Sequence, residues 1–122
     1  MITIKTTKTL DREFDISSVF YNENIKVQHE SNVFGMSDLE AVVTFILSSV
    51  YSGIAYDILK LGIIKMYNKF TSNGVNVIIK YSDFSFFKIT DDQIVQIEKG
   101  NEVEINDLQE MFQILESKIN KS

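Results

Sequence analysis

The chain has 122 residues, of which 44% are hydrophobic and 24% are charged, and its formal net charge is −5. This length fits a single domain over residues 1–122 with a core of ordinary size. The absence of Cys and the presence of one His exclude a disulfide framework, a thiol nucleophile and a zinc site built from Cys or several His residues.

The N-terminal segment predicts short strands. Ile2–Thr6 alternates apolar and polar residues, and residues 24–30 alternate again around Ile25 and Val27. Between them, residues 7–13 are mostly polar and predict a turn. Apolar side chains then occupy three of the four alternate positions in residues 14–20, the fourth being Ser18, which predicts another strand, with a short helical turn over residues 15–21 as the alternative. This segment therefore contributes two or three strands to a sheet.

The stretch 37–74 organises the predicted fold. It opens with Ser37-Asp38-Leu39-Glu40, which is a capping-box pattern, and closes with Asn73-Gly74, which is typical of a helix C-terminus. Residues 41–56 carry no charge, but the run is shorter than the about 20 apolar residues of a membrane span. The pattern predicts one central helix over residues 38–72, buried in its first half. From Asp57 onward the predicted helix lies on the surface, with a polar side that includes Lys60, Lys65 and Lys69.

The length of this helix requires a break. A straight helix over residues 38–72 would measure about 52 Å, whereas a domain of this size is only about 35 Å across. We expect a kink near Gly53, because an interior Gly costs about 1 kcal/mol relative to Ala. Ser49 and Gly53 also form a pair of small residues one turn apart, which predicts a tight helix crossing, with self-association as the alternative.

After Gly74 the apolar period returns to two. Four more strands are predicted in residues 75–105, and Leu108, Met111, Phe112 and Leu115 have the spacing of a helix lying on a core. The predicted fold class is α+β, with an antiparallel sheet of about five or six strands packed on the kinked central helix and a short C-terminal helix.

The sequence offers few candidates for chemistry. His29 alternates with apolar strand residues, which predicts a sheet position and not a general base. Asp91-Asp92 lacks the spacing and the Gly of a calcium loop, and the scattered glycines match no phosphate-binding pattern. We therefore assign no catalytic, cofactor-binding or metal-ligating residue and do not expect an enzyme.

The acidic excess lies in one segment. Residues 83–110 contain eight acidic side chains against Lys88 and Lys99, a net charge of −6. Such a field favours a basic protein partner and disfavours nucleic acid, although it can also serve solubility alone. The predicted partner-binding residues are Asp91, Asp92, Glu98, Glu102 and Glu104. Strand alternation predicts that Glu102 and Glu104 point outward, while Val103 and Ile105 pack inward.

The segment 52–60, with the sequence SGIAYDILK, resembles small bacterial domains that are associated with effectors in biological-conflict systems. The order of the predicted elements extends the resemblance over residues 36–115. It implies a non-catalytic accessory or inhibitory role with a protein partner, a toxin or effector, and it implies no site residues.

Two classes of function remain. The first is a non-catalytic protein-binding module, such as an immunity protein, an inhibitor or a conflict-system accessory subunit. It would act as a cytoplasmic monomer or homodimer, without a membrane or nucleic-acid partner. The second is a small-molecule-binding domain or minor enzyme that uses dispersed carboxylates, with Tyr51, Tyr56 and Asp57 lining a pocket. A flat acidic face favours the first class, and a deep pocket with convergent polar groups favours the second.

Overall fold

The computed structural model describes residues 1–30, 41–48 and 53–119. The strands are β1 (Ile2–Thr6), β2 (Ile25–His29), β3 (Ala41–Leu47), β4 (Val75–Ser82), β5 (Ser85–Ile89), β6 (Ile94–Glu98) and β7 (Asn101–Ile105). The helices are α1 (Lys8–Phe14), α2 (Ile16–Val19), α3 (Gly53–Ser72) and α4 (Leu108–Ile119). The α+β class is confirmed.

The seven strands form one mixed sheet in the order β2-β1-β3-β4-β5-β6-β7. The β1–β2 and β3–β4 pairs are parallel, and the other four pairs are antiparallel. The prediction of a wholly antiparallel sheet of five or six strands is therefore wrong. Parallel neighbours need a crossover connection, and the chain supplies it with α1 and α2 between β1 and β2, and with α3 between β3 and β4.

The prediction of one central helix is wrong for the first part of the stretch. Residues 41–47 form β3, which lies between β1 and β4, whereas Gly53–Ser72 is helical as predicted. β3 is rich in β-branched and aromatic residues, which favour strands, but an uninterrupted apolar run looks the same for a buried strand and a buried helix. The capping-box residues 37–40 lie outside the described residues. A helix of this shorter length measures about 30 Å and needs no kink.

Two short helices replace the turn and the strand predicted after β1. The Thr7 side chain accepts a hydrogen bond from the amide of Leu10 at 3.1 Å and caps α1. Asp15 then adopts a left-handed backbone with φ of 55°, which separates α1 from α2. The alternative of a short helical turn is the correct one for Ile16–Val19.

All four helices lie on one face of the sheet. Phe20, in the residue after α2, packs edge to face on Phe45 of β3 with ring centroids 5.4 Å apart, and Phe14 of α1 packs on Phe70 of α3 at 5.1 Å. The stripe predicted for α4 is confirmed, since Met111, Phe112, Leu115 and Ile119 are buried. None of the helices within the described residues has the length and hydrophobicity of a membrane span.

Candidate functional site

Asp11, Ser17 and His29 meet at one end of the sheet. The Asp11 Oδ1 atom accepts a hydrogen bond from the Ser17 backbone amide at 2.8 Å, and Oδ2 accepts from the Ser17 hydroxyl at 2.5 Å. The His29 Nε2 atom lies 2.7 Å from the same Oδ2 atom. The carboxylate thus joins α1, α2 and β2.

This cluster has the residue types of a hydrolase triad but not its order. In a triad the imidazole lies between the hydroxyl and the carboxylate, so that it can take the hydroxyl proton. Here the Asp11 carboxylate lies between Ser17 and His29, so the arrangement differs from that of a triad. In the described part of the chain no group of three or more His, Asp or Glu side chains could hold a metal ion.

The surroundings of Asp11 lower its pKa. Burial raises the pKa, but the hydrogen bonds from Ser17 and His29 lower it by more. Because the folded pKa lies below the unfolded value of about 3.9, the stabilisation is present above that value and is lost as the pH falls through the folded pKa. The cluster therefore stabilises the fold near neutral pH, and this stabilisation is lost in acid as Asp11 becomes protonated.

We expect Asp11→Asn to lower the free energy of unfolding by about 1 kcal/mol near pH 6. The difference from wild type should shrink at pH 3, because wild type loses the benefit of the ionised carboxylate there. Urea unfolding of both proteins at the two pH values measures this. A difference of equal size at both pH values would contradict the role given to the charge of Asp11.

The five predicted acidic residues do not share one face. Glu98 lies on the side of the helices, where its Oε1 atom is 3.0 Å from the Lys118 ammonium of α4. Glu102 pairs with Ile97 across β6 and β7, and so points to the opposite side of the sheet from Glu98, as Glu104 does.

The remaining acids lie at the other end of the hairpin. Asp91 and Asp92 are exposed in the connection between β5 and β6, where Asp92 accepts a hydrogen bond from the Thr90 hydroxyl at 2.8 Å. Glu102 and Glu104 are exposed and Ile105 is buried, as predicted, but Val103 is 57% exposed because it lies on an edge strand. The predicted acidic face is thus divided by the sheet, with Glu98 on the side of the helices and Glu102 and Glu104 on the other side.

The residues singled out around the central helix are also separated. Tyr56 is buried in the core and Asp57 is exposed to solvent, and Tyr51 and Ser49 lie outside the described residues. A Cβ atom added at Gly53 would meet no described atom within 4 Å. The close approach lies instead at Gly62, where an added Cβ would come within 3 Å of three ring carbons of Phe20.

The sheet face opposite the helices, here called the open face, is apolar in its centre. None of the described helices packs on it. On the four strands β3 to β6 its outward positions include six half-buried apolar side chains: Val42, Ile46, Ile78, Phe86, Val95 and Ile97. A solvated sheet face usually presents polar residues. Consecutive apolar pairs such as Phe86-Phe87 are the sequence signal of this apolar face, because one member of each pair must point away from the core. Strand alternation accounts for only the inward member of each pair.

The charged residues of the open face occupy different strands, with lysines near the centre and carboxylates at β7. From β3 to β7 one row of neighbouring residues reads Ile46, Lys80, Phe86, Ile97 and Glu102. The next row ends in the same way, with Lys88, Val95 and Glu104. Lysines therefore lie among the apolar side chains, while carboxylates border the face at β7.

The second uncovered apolar surface lies on the helical layer. Ile54, Leu61 and Ile64, here called the α3 ridge, are 73%, 67% and 48% exposed. Their spacing places them on the side of α3 that faces away from the sheet. The sequence predicted a polar outer side for this helix, from Asp57, Lys65 and their neighbours, and so missed the apolar residues between them.

Neither a protein-family model, a curated protein nor a solved structure matches the chain. The resemblance of segment 52–60 to effector-associated domains therefore stays a prediction, and the candidate functional surfaces of this chain are the open face and the α3 ridge.

Proposed function

We propose that this chain is a non-catalytic protein-binding module and that the open face is its partner-binding surface. The observation that carries the proposal is the block of six apolar side chains on β3 to β6 that no described helix covers. Contiguous apolar surface with a polar border is typical of protein interfaces. A preformed rigid sheet also keeps the entropy cost of binding low.

The charges define the chemistry of the partner. Lys26, Lys80 and Lys88 are exposed on the open face, and none of them takes part in an ion pair among the described residues. Glu102 and Glu104 border the same face at β7. The partner would therefore present an apolar centre, carboxylates opposite the lysines and basic residues opposite β7. The net charge predicted a basic partner, whereas the open face fits a partner that is basic only where it meets β7.

A toxin or effector is the partner class that the resemblance of segment 52–60 implies. In that case the chain would act as an immunity protein, an inhibitor or an accessory subunit that blocks or supports a surface of the effector. The cluster of Asp11, Ser17 and His29 supports a module without catalysis of its own, since Asp11 is the middle member and engages both other side chains.

The test compares matched variants of the open face. Phe86 and Ile97 are direct cross-strand neighbours, and changing both to Thr removes apolar surface while keeping strand propensity. Phe84→Thr is the control, because Phe84 is 74% exposed in the β4–β5 turn outside the face. We expect wild type and Phe84→Thr to retain the same protein from an extract of the source cells, and Phe86→Thr/Ile97→Thr to bind it at least tenfold more weakly.

Calorimetry with the purified partner measures the affinities, and circular dichroism confirms that each variant is folded. If the folded double variant retains every protein that wild type retains with equal affinity, the open face is not the binding surface.

Reversing Lys80 and Lys88 to Glu should also slow association at low salt, since exposed charges act chiefly on the association rate.

A further inference from the structure

We infer that two copies of this chain associate through the α3 ridge, with the two α3 helices antiparallel about a two-fold axis near Leu61. This goes beyond the proposed function, because it uses the opposite layer of the domain and a different partner. The occupant of the ridge is a second copy of the chain.

The ridge concentrates the exposed apolar side chains. Of the seven large hydrophobic side chains that are exposed in the described residues, three lie on this one face of α3. The other four lie at the N-terminus, before β2, in a turn and on the edge strand: Met1, Tyr21, Phe84 and Val103. Burial of the ridge by a second surface would remove three of these seven side chains from water.

The α3 ridge lies between two surface grooves of the helical layer. On one side Ile58 and Leu61 line a hollow against Val19 of α2, and on the other Ile64 lines a groove against Leu108 and Phe112 of α4. A helix packs by setting its ridge of side chains into the grooves of another helix. The surface therefore presents both the ridge and the grooves that such a contact needs.

The sequence of the ridge is complementary to itself in one orientation. In an antiparallel pair about Leu61, positions equally far before and after Leu61 lie at the same level. Leu61 then lies at the level of its own copy, Ile58 at the level of Ile64, and Asp57 at the level of Lys65, within reach of the lysine side chain. Because the axis is two-fold, each of these pairs occurs twice.

Both charged residues are available for this contact. Asp57 and Lys65 are exposed, and neither belongs to an ion pair among the described residues. Lys60, which lies nearby on α3, is 3.5 Å from Glu116 of α4 and is already paired. A parallel pair would place Asp57 on Asp57 and Lys65 on Lys65, so like charges disfavour it.

The test uses two charge-reversed variants and their mixture. In Asp57→Lys and in Lys65→Asp, each contact between the two positions joins like charges, so each variant alone should dimerise at least tenfold more weakly than wild type. In an equimolar mixture the new lysine of one chain faces the new aspartate of the other, and the original Asp57 faces the original Lys65. The mixture should therefore form a heterodimer with an affinity close to that of the wild-type homodimer.

Sedimentation equilibrium from about 1 to 500 µM measures the masses, a range set by the micromolar affinity expected of a small interface. Melting temperatures confirm that the variants are folded, and Leu61→Glu should be monomeric throughout. Wild type that stays monomeric over the whole range overturns the proposal, as does a mixture that associates no better than its components. Phe86→Thr/Ile97→Thr should dimerise like wild type, so failure of the open-face proposal is distinguishable from failure of this one.

Discussion

Replacing Phe112 with alanine is expected to lower the free energy of unfolding by about 3–5 kcal/mol. Phe112 is 1% exposed and lies on the buried side of α4 between Met111 and Leu115. Removing its ring leaves a cavity that the rigid sheet beneath cannot close. Small domains have a total stability of about 5–15 kcal/mol, so this one change removes a large share of it.

Phe84→Ala is the matched control, because Phe84 is 74% exposed. Its effect on the free energy of unfolding should stay within about 0.5 kcal/mol. Urea unfolding of both variants at one pH gives the comparison. Equal losses for the two variants would show that α4 does not contribute to the common core.

Gly62→Ala is expected to destabilise the protein by up to about 2 kcal/mol. The new methyl group would come within 3 Å of the Phe20 ring, which is buried and held edge to face on Phe45. Overpacking costs about 1–3 kcal/mol, and the gain of about 1 kcal/mol in helix propensity offsets only part of it.

Two companion variants isolate the cause of this loss. Gly53 is the first residue of α3 and has no described atom within 4 Å of an added Cβ, so Gly53→Ala should change the free energy of unfolding by no more than about 0.5 kcal/mol. Phe20→Leu removes ring atoms, and a double-mutant cycle with Gly62→Ala should show a favourable coupling. A Gly62→Ala protein as stable as Gly53→Ala would contradict the close approach of α3 to Phe20.

The period of apolar residues predicted most of the strands and both long helices, but it could not separate β3 from α3. The uncharged run continues from β3 past Leu47 towards α3, so neither length nor alternation marked the change from strand to helix. α1 was missed, and α2 was predicted only as the alternative to a strand, because helices this short carry too few turns to show a period. The cap at Thr7 was the local signal available for α1.

The sequence predicted the outward direction of Glu102 and Glu104 but not the separation of the acidic residues. Lys99 and Gly100 both have positive φ, 53° and 86°, which is typical of a two-residue type I′ hairpin. That turn pairs Glu98 with Asn101 and so sends Glu98 and Glu102 to opposite sides of the sheet. Net charge along the chain contains no information about this register.

The two candidate surfaces lie on opposite layers of the domain. A dimer built on the α3 ridge would therefore leave both open faces free, and each copy could bind a partner. Two binding faces in one particle increase the apparent affinity for a partner that is itself dimeric or clustered. This combination would give a small domain a means of selective binding.

The most direct measurement of partner binding at the open face is photo-crosslinking in the source cells. A photoreactive phenylalanine analogue is placed either at Phe86, in the centre of the open face, or at Phe84, two residues earlier in the exposed turn. We expect one specific adduct with a second protein from position 86, and a much lower yield of it from position 84. Equal yields from the two positions, or no adduct from position 86, would contradict binding through the open face.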